Sequence, residues 1–180
     1  MTLTVHLERR RAPAGKADMK VVIGVDSSTF SDDAIDYVVN SPWPVGTTFV
    51  VVSAVAPVFL GPGEVAAPQS ITELYQEQER YHREIAQNAA RRLSVAGLKA
   101  IARVIHGDPR TVLEETARSE EADMIVVGSH GRSGIKKLLL GSVAAHVIAH
   151  APCPVLVVRV PAWKKESEER KEPASEALLV

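Results

Sequence analysis

The chain has 180 residues, 46% of them hydrophobic and 24% charged, with a net charge of −1 at neutral pH. That length suffices for one domain with a sizeable core plus tails, and the near-neutral balance argues against a broad nucleic-acid or anionic-membrane footprint. A single cysteine excludes an internal disulfide and a cysteine metal cluster; no stretch approaches the roughly 20 apolar residues of a membrane span, and the N-terminus lacks the apolar core of a secretion signal, so a cytoplasmic protein is expected.

Residues 1–18 are polar, with Arg9-Arg10-Arg11 followed by Ala12-Pro13-Ala14-Gly15, and read as a solvated, flexible arm. From Met19 the text changes. Lys20 to Val25 is a continuous apolar run of strand length, the pattern of a parallel strand buried on both faces. It ends at Asp26-Ser27-Ser28, the carboxyl end of a strand, where ligands collect in α/β proteins. Ser31 or Thr29 is then expected to cap a helix through Asn40, with Asp32 and Asp33 in its first turn. Ser41-Pro42-Trp43-Pro44-Val45-Gly46 breaks that helix. Thr47 to Val55 reads as a second buried strand.

Ala56 to Pro68 holds three prolines and two glycines and reads as a long loop, of the kind that forms lids or partner surfaces. From Ser70 to about Val95 the spacing is helical, with Ser70-Ile71-Thr72-Glu73 resembling a capping box. Ile71, Leu74, Tyr75, Tyr81, Ile85, Ala89 and Leu93 form one apolar stripe, in which the tyrosines read as core-edge packing. Gly97 closes the helix. Leu98 to Ile105 alternates apolar and polar, as a strand nearer a sheet edge does. His106-Gly107-Asp108-Pro109 is a turn with Asp108 as N-cap and Pro109 at the first helical position, and His106 reads as a strand-end residue. A helix follows to about Glu121.

Asp123 to Val127 is a third apolar run rich in β-branched residues. It leads into Gly128-Ser129-His130-Gly131-Arg132-Ser133-Gly134, then Gly141-Ser142-Val143 and a helical pattern to His150. Glycines let the backbone turn and present N–H groups without a Cβ in the way, and N–H groups at a helix N-terminus form an anion site. Ser142 is expected to cap that helix or donate its hydroxyl to a phosphate, with Arg132 a cation beside the loop. The loop is neither a Walker A sequence nor GxGxxG. Pro154 to Val160 is the last strand, and residues 161–180 form a charged tail with an apolar end. Helical segments alternate with strands, so right-handed crossovers give an α/β fold: a five-stranded parallel sheet with helices on both faces.

The segment GSHGRSGIKKLLLGSVA, with HAPCPVLVVR after it, resembles the universal stress protein family. That family's nucleotide-binding members carry Gly, two residues, Gly, nine residues, Gly and then Ser or Thr; Gly128, Gly131, Gly141 and Ser142 stand at that spacing. Val25-Asp26-Ser27-Ser28 and the Gly107-Asp108-Pro109 step are similar to the family as well. The resemblance implies one Rossmann-like, three-layer domain over residues 19–160. It implies ATP as a bound ligand, with Asp26 against the adenosine, and pairing of two copies through the last strand, residues 154–160. Ser53-Ala54-Val55 stands where the family often has His-Val and an apolar residue, which puts the smaller Ala54 at the adenine-facing position.

On this reading Gly128, Gly131, Arg132, Gly141, Ser142 and Val143 hold the phosphates, Asp26 meets ribose or adenine, and Ala54 and Val127 wall the base. Asp26 also reads as a turn or cap residue. His130 lies inside the loop, either donating to a phosphate, orienting a water, or contributing only its backbone. Mg²⁺ would rest on the phosphates, with Ser142 its one nameable protein ligand. His146 and His150 share a helix face but lack the rest of a metal site, Cys153 reads as buried and inert, and no nucleophile elbow or other catalytic set appears. A nucleotide-cleaving or nucleotide-transferring enzyme is the alternative of another class; a nucleotide-free interaction module using the tails and residues 56–69 is the third.

Overall fold

A computed structural model of the protein describes residues 18–57, 68–131 and 140–159. The expectations for the N-terminal arm, most of the 56–68 loop, the Ile71 side chain, Arg132 and the charged tail lie outside the described residues. In chain order the elements are β1 (Lys20–Gly24), α1 (Thr29–Val39), β2 (Thr48–Val55), α2 (Pro68–Val95), β3 (Lys99–His106), α3 (Pro109–Ser119), β4 (Met124–Gly128), α4 (Ser142–His150) and β5 (Val155–Val158). The strands form one parallel sheet in the order β3-β2-β1-β4-β5. This is the α/β architecture that the alternation of strand and helix patterns demands.

The central strands are apolar on both faces because both are covered. Val21, Ile23, Phe49, Val51 and Val126 pack into one cluster with Ala34, Ile35 and Val38 of α1 and Ala89, Ala90 and Leu93 of α2. Val22, Val50, Val52, Ile125 and Val127 point the other way, against Val112, Leu113 and Ala117 of α3 and Ala144 and Val147 of α4. The crossovers from β1 to β2 to β3 run in one direction along the sheet. The next passes back to β4, beyond β1, and with a constant crossover hand this reversal sends the last two helices to the opposite face. The carboxyl ends of β1 and β4 therefore open side by side at a topological switch point, where neither helix layer closes over them.

Several local expectations need correcting. Ser28, not Ser31 or Thr29, is the N-cap of α1: its backbone is extended (φ −89°, ψ 152°) and its Oγ accepts from the Ser31 N–H at 3.3 Å. Gly141, not Ser142, caps α4, since Ser142 is already helical. The buried line on α2 runs through His82, Ala86, Ala89, Ala90 and Leu93, whereas Leu74 and Tyr81 are 37% and 45% exposed. Ala89 and Leu93 of the expected stripe are buried and Ile85 packs against the core, while small alanines let the helix approach the sheet closely and Leu74 and Tyr81 turn to the rim. Cys153 is half-buried rather than buried, packed at the edge of the second cluster. β3 does lie at a sheet edge, and Asp108 does cap α3 with Pro109 at its start, accepting from the Arg110 N–H at 2.9 Å. Among the described residues no helix is long and apolar enough to cross a membrane.

Candidate functional site

At the carboxyl end of β1, Asp26 organises the start of α1. Its Oδ1 accepts from the Ser28 N–H at 3.0 Å, the Ser28 Oγ at 2.5 Å and the Ser31 Oγ at 2.8 Å. Its own N–H donates to the Ser31 Oγ at 2.8 Å. A carboxylate satisfied by short hydrogen bonds at a helix N-terminus is also favoured by the helix dipole. The turn-and-cap reading of Asp26 is thus correct for one of its oxygens. The other, Oδ2, lies toward the loop after β4: a Cβ added at Gly131 would stand 2.7 Å from it.

At the end of β4 the glycines make room for protein. A Cβ at Gly128 would stand 2.5 Å from the carbonyl oxygen of Phe30, so α1 sits against bare backbone there. The Ser129 N–H donates to Val158 O at 2.8 Å, and Ser129 O accepts from the Gly141 N–H at 2.8 Å. This second bond draws the far end of the loop back onto the strand and fixes where α4 begins. It also corrects the expectation for Gly141, whose amide is already bonded within the chain and is no donor to a ligand. His130 packs its ring on Phe30, centroids 5.0 Å apart, and its Nδ1 lies 3.2 Å from the Ser129 Oγ.

Gly141 as N-cap has no side chain to bond the first turn of α4. The first N–H groups of a helix have no intrahelical partner, and the amides of Ser142, Val143 and Ala144 find none among the described residues. Their partial positive charge opens into a cleft of about 340 Å³ at the switch point, within the size range of small-ligand sites. Asp26 after β1, Ala54 of β2 and Val127 of β4 line it. Gly128, His130, Gly131, Gly141, Ser142 and Val143 line it from the loop and α4. Every candidate residue among the described ones is therefore brought to one place. No Lys or Arg among the described residues lines the cleft. Nearby, Arg110 is engaged by Asp108, whose carboxyl it holds down at about 2 chiefly through its side-chain hydrogen bond. Among the described residues, the backbone amides at the start of α4 can attract an anion here.

Lining residues outside the expected site set include Ser31, Pro109, Leu113 and His82. Ser31 and Pro109 were read only as helix-start residues. His82 is 3% exposed and pairs with the fully buried Ser53 across 2.8 Å. His146 and His150 stack with centroids 4.2 Å apart, away from the cleft, and among the described residues no group of three or more potential ligands could hold a metal ion.

The universal stress protein family model matches residues 19–159. A universal stress protein of Methanocaldococcus jannaschii, MJ0531, is 34% identical over 149 residues, covering 82% of this chain and 84% of that one. The chain belongs to the universal stress protein family. Among solved structures, MJ0577 of the same organism superposes with a TM-score of 0.69 at 24% identity, over 79% of this chain and 96% of that one. A universal stress protein in complex with cAMP superposes with a TM-score of 0.55 at 28% identity, over 79% and 98% of the two chains.

Replacing Gly128 by Ala is expected to cost about 1–3 kcal/mol of folding stability, because the new methyl meets a main-chain carbonyl that cannot rotate away. Urea unfolding that gives the Gly128→Ala variant wild-type stability would show that α1 does not press on this glycine.

Proposed function

We propose that the protein binds ATP as a regulatory ligand in the switch-point cleft and acts as a nucleotide-dependent binding module. The observation that carries this reading is the N-terminus of α4, which has no side-chain cap and whose first amides open into the cleft. Phosphate oxygens accept from the Ser142 and Val143 amides and from the Ser142 hydroxyl, with Gly131 giving close access and Arg132 an added cation. Charge-assisted bonds of this kind contribute about 1.5–3 kcal/mol each. Asp26 takes the ribose hydroxyls, and the base lies between Ala54 and Val127. Mg²⁺ travels with the phosphates, the Ser142 hydroxyl being its protein contact. The family relative crystallised with cAMP supports an adenine nucleotide as the class of ligand.

A regulatory role has a physical route in the Asp26 network. One oxygen of this carboxylate holds the start of α1 while the other faces the phosphate loop. A ligand that shifts the loop therefore acts on the α1 face of the domain. A ligand that binds only the folded state stabilises it by about 2.7 kcal/mol at a hundredfold excess over Kd.

Calorimetric titration of the full chain with ATP tests the assignment. Gly131→Val, whose Cβ stands 2.7 Å from Asp26 Oδ2, is expected to lose more than about tenfold in ATP affinity, or 1.4 kcal/mol, while unfolding cooperatively like the wild type. An unchanged affinity overturns the site assignment.

We also propose that two copies pair through β5. It is an edge strand with half-buried Val155, Leu156 and Val157, and edges of that kind are ordinarily covered. Sedimentation velocity at micromolar concentration is expected to give a dimer, and a monomer there rejects the pairing.

A further inference from the structure

α3 and α4 each connect parallel strands of one sheet and pack on the same face of it, so both start at the cleft end and run away from it side by side. Glu114 of α3 faces His146 of α4, with its Oε2 3.6 Å from His146 Nε2. Residues four apart on a helix share a face, one above the other. One turn nearer the cleft, the same two faces therefore carry Arg110 on α3 and Ser142 on α4. Packed helices lie about 8–10 Å apart axis to axis, a gap that an arginine side chain spans. Pro109 and Leu113, which flank Arg110 in α3, line the cleft, as do Ser142 and Val143.

Arg110 rests on a sequence neighbour and not on another element. Its Nε and Nη2 donate to the two Asp108 carboxylate oxygens at 2.8 and 2.5 Å. Both side chains are exposed, 49% and 41%. Ion pairs in contact with water add little to stability, so the fold does not depend on this one. The start of α3 is held separately, because Asp108 Oδ1 also accepts from the Arg110 N–H at 2.9 Å. His146 acts on the same carboxyl, which sets the pair beside α4. A guanidinium is thus kept in place next to the first turn of α4, while no Lys or Arg among the described residues lines the cleft.

We propose that Arg110 is a cation for the outer phosphates of a bound nucleotide, exchanging Asp108 for them, and that it makes the site prefer a triphosphate to a monophosphate. Either nucleotide offers one phosphate to the amides of α4. Only a triphosphate carries further charge beyond that turn. A phosphate matches the guanidinium fork as the Asp108 carboxylate does, and with greater charge. The inference rests on the nucleotide reading above.

The test is calorimetry on the full chain with ATP and with AMP at one fixed Mg²⁺ concentration. The variants are Arg110→Gln, Asp108→Asn and the double variant. The wild type is expected to favour ATP. Arg110→Gln lowers ATP affinity about tenfold, the scale of one charge-assisted contact, and leaves AMP affinity unchanged. Asp108→Asn keeps a residue that caps helices well and releases Arg110, so ATP affinity rises while AMP affinity stays the same. The double variant behaves as Arg110→Gln alone. An ATP-to-AMP ratio unchanged in Arg110→Gln overturns the inference, as does an equal loss of both nucleotides. A gain from Asp108→Asn that survives in the double variant overturns it too, since the missing carboxylate and not the released guanidinium is then the cause. A wild-type chain that binds no nucleotide overturns the nucleotide reading and this inference together; a wild type that binds ATP with a ratio indifferent to Arg110 overturns this inference alone.

Discussion

Between β1 and β4 the direction of the crossovers reverses, and everything about the site follows from that reversal. The strands must be parallel and apolar on both faces to sit inside two helix layers, and their helices must change sides for β4 to pass beyond β1. The gap over the two carboxyl ends is bordered by Asp26 after β1 and by His130 and Gly131 after β4. Asp26 ties the end of β1 to α1, and the bond from the Gly141 amide to the Ser129 carbonyl ties the end of β4 to the start of α4. With both ends fixed, the first turn of α4, whose amides find no partner among the described residues, lines the gap. The helix dipole and its orphan amides then act together on whatever anion enters.

The glycines acquire a different meaning in this setting. Gly128 is small because the Phe30 carbonyl lies against it, Gly141 because the His130 backbone does, and Gly131 because the Asp26 carboxylate does. Each close approach is protein on protein, and the spacing that marks the family is to that extent a packing requirement. The ligand-facing consequence comes from two of them: Gly131 brings the loop within reach of Asp26, and Gly141 leaves α4 without a side-chain cap.

The strands were legible because parallel strands covered on both faces announce themselves as unbroken apolar runs, and Lys20 to Val25, Thr47 to Val55 and Asp123 to Val127 all do so. The placement of the cleft was legible for the same reason, since the motif residues stand at strand ends. The face of α2 was not. Leu74 and Tyr81 carry more hydrophobicity than Ala86 or Ala90, yet close approach to the sheet favours the small residues and leaves the large ones at the rim. The same bias hid His82, a polar residue on a buried face whose partner Ser53 is 29 positions away on another element. The cap of α4 was hidden because a glycine N-cap makes no side-chain bond, whereas the serine after it has the chemistry of a cap and already lies in the helix.

The central claim is that the first amides of α4 hold the phosphates. It is tested most directly by recording the backbone amide resonances of Ser142, Val143 and Ala144 in isotope-labelled protein while ATP is titrated in, with adenosine as a control. The account predicts that all three shift and become protected from exchange with ATP, and that adenosine leaves them where they were. Resonances that stay put while ATP saturates the protein would place the phosphates elsewhere and contradict it.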